Sequence, residues 1–220
     1  MAGNEMFSME FSPDMRKFVI SFDKWAKEVK DWRPAWTDIR DMFRNHERKH
    51  LDSEGLSTGA KFDDLNDRYA KEKDKSGYSG LPILQRDRVL YRALVEGGSG
   101  SLFRRNRKSM EIGIKKGYVT PGKKGKPGRP LYIYAEAHQT GTTLEFGGIL
   151  PARPPVRFGK DVTNKDHFAY GLSQIMQAHI VLARRRAFKK EIEASFGKAH
   201  AESEGAARAT ISKMKTKDWR

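Results

Sequence analysis

Apolar residues recur at helical spacing in several stretches of this chain, and this spacing constrains the fold more than any other feature. A predicted helix over residues 35–51 carries the stripe Trp36, Ile39, Phe43, His46 and His50. A longer one begins at the capping-box pattern Thr163-x-x-Asp166, ends at Gly197, and carries the stripe Leu172, Ile175, Met176, Ile180, Ala183 and Ala187. Each helix has one apolar face, which it buries by packing against other elements.

Shorter periodic stretches predict further helices. One follows a short predicted strand at residues 6–11, ends before Pro34, and carries Phe18, Phe22, Trp25 and Val29. Another carries Phe62, Leu65 and Tyr69. A third runs from Leu84 to Glu96, with Leu84, Leu90 and Leu94 facing inward, and the glycines from Gly97 onward end it.

The middle of the chain predicts a small β component. Residues 110–114 alternate between apolar and other residues, which is typical of a strand, whereas periodicity leaves residues 131–139 open between a strand end and a helical turn. We therefore expect an α+β fold in which a small antiparallel sheet packs against several helices, with a long C-terminal helix and an extended basic loop. Residues 1–197 form one domain with the basic loop 104–130 inserted, and residues 198–220 form a polar tail that is flexible or ordered by a partner.

Composition narrows the classes of function. The chain has 220 residues, 32% of them charged, and a formal net charge of +15, so its field favours polyanions such as nucleic acid or an acidic protein. It has no cysteine, which excludes disulfides and thiolate metal sites. Its sequence has neither a membrane-spanning apolar run nor a signal-peptide pattern, so we expect folding in the cytoplasm and no membrane partner.

His46-Glu47-Arg48-Lys49-His50 matches the His-Glu-x-x-His pattern of zinc proteases. Histidines four residues apart lie on one helical face and can share a metal, with the glutamate activating the bound water. However, the two intervening residues are charged, and no third-ligand pattern follows closely. Because His46 and His50 also continue the apolar stripe of their helix, we interpret them as helix residues at the edge of the core, with no metal or other cofactor.

A basic segment spans residues 104–129, and only Glu111 opposes its charge. Its basic residues are Arg104, Arg105, Arg107, Lys108, Lys115, Lys116, Lys123, Lys124, Lys126 and Arg129. Two interpretations stay open: a solvated loop that aids solubility, or a surface that faces a polyanion. A Gly- and Lys-rich loop with few aromatic residues suits nonspecific phosphate contacts and does not suit base stacking.

The most distinctive phrase of the sequence follows the basic segment. It consists of Tyr134-Ala135, His138-Gln139 and Gly141, and then Leu150-Pro151-Ala152-Arg153-Pro154. Pro151, Pro154 and Pro155 stiffen an extended stretch at little entropic cost. Arg153 is expected either to anchor that stretch within the subunit or to reach a neighbouring subunit.

In order and spacing, five blocks over residues 35–185 resemble the phage virion morphogenesis family of tail completion and neck proteins. They are Phe62-x-x-Leu65-x-x-x-Tyr69-x-x-x-Lys73, Ile83-Leu84 with Leu90 and Leu94, Met110-Glu111-Ile112-Gly113, the Tyr-Ala…His-Gln…Gly block, and the Pro-Ala-Arg-Pro block with Phe158-Gly159. Asp87-Arg88 stands where Thr-Gly is usual in the family, so we expect continuous helix there.

The resemblance implies a structural protein without catalysis. Such a subunit assembles with itself into a ring, expected to be six-fold, at the neck or tail top of the virion, after assembly in the host cytoplasm. Its partners would be the tail tube protein, head-completion or connector proteins, and weakly bound passing genomic DNA. The resemblance makes the basic residues candidates for the DNA lumen or a subunit contact. It assigns the assembly motif to Tyr134, His138, Gln139, Gly141, Pro151, Arg153 and Pro154.

Two rival functions remain. A basic DNA-binding or packaging accessory protein would bind DNA tightly as a monomer or dimer and form no ring. A zinc hydrolase would use His46, Glu47 and His50, and metal analysis separates it from both other functions.

Overall fold

The chain folds as a helix-dominated α+β protein, as expected. The computed structural model describes residues 23–59, 61–85, 87–121, 128–143, 149–157, 159–160 and 163–219, with the backbone alone over residues 189–201. The strand expected at residues 6–11 lies outside this part. Residues 23–29 are helical, which agrees with the helix predicted before Pro34. No helix within the described residues is both long enough and apolar enough to cross a membrane.

Helix α1 (Arg33–Asp52) is the centre of the structure and contacts the two long C-terminal helices. Pro34 lies in its first turn, where a missing N–H costs nothing. The predicted stripe is confirmed, since its five members are all buried. The two histidines, expected at the edge of the core, are instead inside it.

Helix α2 (Asp67–Lys75) begins later than its stripe predicts. The Asn66 side chain caps it by accepting a hydrogen bond from the Tyr69 backbone N–H at 2.8 Å. Phe62 and Leu65 therefore lie in the extended segment before the helix, although Phe62 is still buried.

The helix predicted from Leu84 begins only at Val89. Helix α3 (Val89–Tyr91) continues as a π-helical turn (Arg92–Glu96) and ends at Gly97 in the left-handed conformation. Leu84 (φ +69°) and Arg88 (φ +52°) are also left-handed, which no continuous helix accommodates. The expectation that helix continues through Asp87-Arg88 is therefore wrong: a turn stands there.

Strand β1 (Ser101–Arg105) pairs antiparallel with β2 (Met110–Ile114), the predicted strand, with Arg105 opposite Met110 and Ser101 opposite Ile114. The segment that periodicity left open is a helix, α4 (Leu131–Thr140). After it, two-residue strands β3 (Thr142–Thr143) and β4 (Ile149–Leu150) form a second antiparallel ladder.

The C-terminal part contains two helices rather than one. Helix α5 (Phe168–Ala187) begins after His167 without a side-chain cap, so the Thr163-x-x-Asp166 pattern does not start it. The helix is interrupted at Phe188. A second helix, α6 (Lys189–Thr216), then continues through Gly197, which was predicted to end it. Ile175, Ala183 and Ala187 of the predicted stripe are buried.

Residues 198–219, expected to form a polar tail, continue helix α6 and end at a buried Trp219. Helix α6 packs along α5 and α1. Trp219 is 1% exposed in the main core, and its indole N–H donates to the Met214 carbonyl at 3.1 Å. A methyl group at Gly171 would overlap the Trp219 ring, so α5 leaves room for this side chain.

Because Trp219 is a core residue, Trp219→Ala should lower the free energy of unfolding by about 3–5 kcal/mol. Chemical denaturation of the full chain measures this. Leu56→Ala is a matched control, since Leu56 is 63% exposed and its truncation should change stability little. A Trp219→Ala loss no larger than that of the control would contradict the packing of the C-terminus.

Candidate functional site

The second half of the distinctive phrase forms an extended strap, residues 150–157, which lies beside α4. The Arg153 N–H donates to the His138 carbonyl at 2.7 Å. The Gln139 amide donates to the Val156 carbonyl at 3.1 Å and accepts from the Val156 N–H at 3.4 Å. Gln139 thus pairs with the strap as the backbone of a neighbouring strand would.

Arg153 anchors the strap within its own subunit. Its side chain is 4% exposed, and its Nε and Nη2 donate to the backbone carbonyls of Asp63 and Asp64, each at 2.8 Å. The rigid guanidinium fork matches two successive carbonyls. Of the two roles left open for Arg153, the internal one is found.

The histidines of α1 hold the other side of the strap. His46 Nε2 lies 2.6 Å from the Arg157 carbonyl oxygen, and His50 Nε2 lies 2.7 Å from that of Pro154. Because a carbonyl only accepts, both Nε2 atoms must carry the proton and donate. The two conspicuous motifs of the sequence therefore meet in one contact.

This geometry leaves the histidines poorly placed for metal binding. Their Nε2 atoms are engaged with the strap, and His50 Nδ1 lies 2.9 Å from the Thr58 hydroxyl. No group of three His, Asp or Glu residues in the described part is arranged to hold a metal ion. The four-residue spacing that would let two histidines share a metal instead lets them reach two carbonyls of one extended segment.

Glu47, between them in sequence, is fully buried. Neither carboxyl oxygen has a hydrogen-bond partner within the described residues, and Oε1 lies 3.8 Å from His46 Nε2. Burial raises the pKa of Glu47 well above its ordinary value. The site therefore favours the protonated, neutral carboxyl.

An apolar groove with a volume of about 840 Å³ lies between α2, α4 and the start of the strap. Its apolar walls include Leu65, Tyr69, Ile83, Leu84, Ile133 and Leu150. Ile133 is 50% exposed and Ile149 is 80% exposed, although isoleucine is among the residues most often buried. The left-handed Leu84 lies in this wall, and strained backbone of this kind concentrates at functional sites.

The remaining motif residues serve the same region. Gly141 (φ +72°) passes so close to the strap that a Cβ would lie 3.0 Å from the Leu150 carbonyl oxygen, so only glycine fits. Tyr134, His138 and Pro151 line the groove. The residues of the distinctive phrase therefore form the strap and also line the groove beside it.

His138 is buried at the groove, and its Nδ1 has no hydrogen-bond partner within the described residues. Burial and the nearby Arg153 lower the pKa of His138 to about 4, so its ring is neutral at physiological pH. A neutral imidazole can accept a hydrogen bond at the nitrogen that carries no proton.

The structure does not gather the basic candidates into one cluster. Arg104, Arg105, Arg107 and Lys108 lie at the tip of the β1–β2 hairpin, whereas Lys115 and Lys116 follow its other end, about 13 Å away along the strands. Arg129 lies at the groove. Lys123, Lys124 and Lys126 lie outside the described residues.

The hairpin tip is held firmly against α1. The Trp36 indole N–H donates to the Asn106 carbonyl at 3.0 Å, and the Trp32 N–H donates to the Arg107 carbonyl at 2.9 Å. Arg105 donates to the Arg33 carbonyl and the Thr37 hydroxyl, so its charge is partly engaged. At this hairpin tip, Arg104, Arg107 and Lys108 are exposed, and their side chains form the basic surface that is accessible to a partner.

No protein-family model matches this chain, and no curated protein or solved structure is significantly similar to it. The family resemblance therefore rests on the residues quoted above. The sequence analysis identified the strap residues but not Ile133 and Ile149 of the groove. The only sequence feature that could have indicated them is that each is an apolar residue close to polar ones.

The strap histidines should make the fold acid-sensitive. Burial lowers the pKa of His46 to about 4 and also lowers that of His50, whereas unfolded histidine titrates near 6.5. Below pH 6.5 the unfolded chain therefore binds more protons, and stability falls toward pH 4. His46→Gln keeps an N–H donor without titrating, so it should remove up to about 2 kcal/mol of the loss between pH 7 and 5.

Glu47→Gln provides the opposing control, measured by denaturant unfolding at each pH. The raised pKa of Glu47 stabilises the fold at low pH, and this contribution is lost as the pH rises through the folded value. Glu47→Gln should therefore gain stability relative to the parent at pH 8 and steepen the loss on acidification. Parallel pH profiles for the parent and both variants would contradict these buried charge states.

Proposed function

We propose that this chain is a structural virion protein of the phage head–tail junction, a tail completion or neck protein without catalytic activity. It oligomerises into a ring that caps the tail tube and joins it to the head. The observation that carries the proposal is the groove: the family-like motif residues build a rigid strap and leave an open apolar surface beside it.

The chemistry of the site supports assembly over catalysis. Arg153, Gln139, His46 and His50 all make hydrogen bonds to backbone groups that position the strap. What the site offers to solvent is mainly apolar, including the exposed Ile133 and Ile149. Exposed apolar surface of this kind is typical of sites that bind a protein, a membrane or a ligand, and the proposed assembly uses it for a protein contact.

The turn before α3 also supports the family resemblance. Arg88 occupies the position where the family usually has glycine, and it adopts the left-handed conformation that glycine favours. Its guanidinium lies over the Tyr91 ring, 4.8 Å from the centroid, and bridges to Glu96 at 3.3 Å. These contacts of the Arg88 side chain help to stabilise its left-handed backbone conformation in the turn.

The groove contact predicts a specific assembly defect. Ile133→Asp and Ile149→Asp place a charge in the apolar surface and should abolish rings, because an unpaired buried carboxylate costs several kcal/mol at an interface. Electron microscopy and sedimentation of the chain, alone and with tail tubes, measure this. Thermal unfolding checks that each variant still folds.

Leu56→Asp is the matched control, because Leu56 is an exposed apolar residue that does not line the groove. It should leave ring formation intact. Rings that persist in both isoleucine variants would remove the groove from the assembly surface, and a parent chain that never forms rings would overturn the proposed function.

The hairpin tip is the proposed contact for passing DNA. DNA must slide through a channel, so binding is expected to be weak, nonspecific and salt-dependent. The charge-reversal pair Arg107→Glu and Lys108→Glu should weaken DNA binding further and flatten its salt dependence, which fluorescence anisotropy at several salt concentrations measures.

Lys71→Glu is a suitable control, since Lys71 is an exposed lysine on α2 rather than on the hairpin. Tight binding by a monomer or dimer at moderate salt, with no rings, would instead favour the DNA-binding or packaging accessory protein.

A further inference from the structure

We infer that the groove is the docking site for the N-terminal arm, residues 6–11, of a second copy of this chain. The inference rests on the proposed function and deepens it, since it names what fills the groove in the assembled ring. A ring requires a surface on one subunit that fits a different surface on the next, and an arm entering a groove is such a pair.

The arm has the chemistry that the groove requires. Residues 6–11 read Met-Phe-Ser-Met-Glu-Phe, and in an extended chain Phe7, Met9 and Phe11 point to one side. Three large apolar side chains would cover the exposed Ile133 and Ile149. Apolar pockets that receive alternate side chains of an added extended segment are a common mode of peptide recognition.

Charge and reach agree with the same occupant. The arm carries Glu10, Glu5 directly precedes it, and the exposed Arg129 lies at the groove. The described chain begins at Asp23, so residues 12–22 link it to the arm. This linker spans about 36 Å if it is extended and about 16 Å if it is helical, as its sequence predicts, so the arm reaches a groove of an adjoining subunit that lies within this distance.

Cross-linking of the full chain tests the inference, and the chain's lack of cysteine makes the test clean. One preparation carries Ser8→Cys, which leaves Phe7, Met9 and Phe11 intact, and the other carries Thr142→Cys at the groove. Mixed under assembly conditions with a short bis-maleimide, they should give a cross-linked pair. Ala209→Cys, on the exposed surface of α6 away from the groove, is the matched control.

The expected yield with Thr142→Cys exceeds that with Ala209→Cys by at least about tenfold, because docking raises the effective concentration to the millimolar range. Equal yields would overturn the inference. So would a double Ser8→Cys, Thr142→Cys chain that links only within itself, since the arm would then fill its own groove.

A triple variant, Phe7→Ser, Met9→Ser and Phe11→Ser, separates this inference from the proposed function. Loss of both the cross-link and the ring supports arm docking. Rings that persist without the apolar arm overturn the arm as occupant and leave the ring function intact. A strong cross-link in a parent chain that forms only dimers supports the arm and overturns the ring.

Discussion

The structure depends on two neutral histidines donating hydrogen bonds to an extended proline-rich segment. The strap carries Pro151, Pro154 and Pro155, which have no N–H, so it cannot form a regular ladder. Its carbonyls that face α1 still need donors, because a buried carbonyl left without one costs about 1–3 kcal/mol. His46 and His50 supply them from inside the core, which explains two polar residues in an otherwise apolar stripe.

The same requirement accounts for the spacing of the His-Glu-x-x-His pattern. Two ligands to one metal and two donors to one extended segment both require side chains four residues apart on a helical face. Sequence alone does not separate them, since the difference lies in what faces the helix. Here the facing element is the strap, and the buried Glu47, like His46 and His50, favours its neutral form.

The sequence predicted correctly those elements in which the periodicity of apolar residues is the main determinant of structure. The helical spacing of α1 and the alternation of β2 are such elements, and both the helix and the strand are found. The sequence did not predict elements whose bounds depend on a competing local contact. Helix α2 begins later than expected because Asn66 caps it. Leu84 and Arg88 are left-handed although neither is glycine, so nothing in the sequence indicated that a helical turn is absent there. The C-terminus misled for the same reason, because a few widely spaced apolar residues, among them Met214 and Trp219, anchor a mostly polar segment in the core.

The candidate site likewise contains residues that the sequence identifies and a groove that depends on contacts within the fold. Arg153 was identifiable from its fork of donors, and Gln139 and Gly141 from the family-like motif, whereas the groove exists only once α2, α4 and the strap are brought together. Because hydrogen bonds from α1 and α4 hold the strap in place, the groove beside it keeps Ile133 and Ile149 exposed in the single subunit. Covering these side chains by a second protein segment would remove apolar surface from water, and this gain is the driving force that the proposed assembly requires.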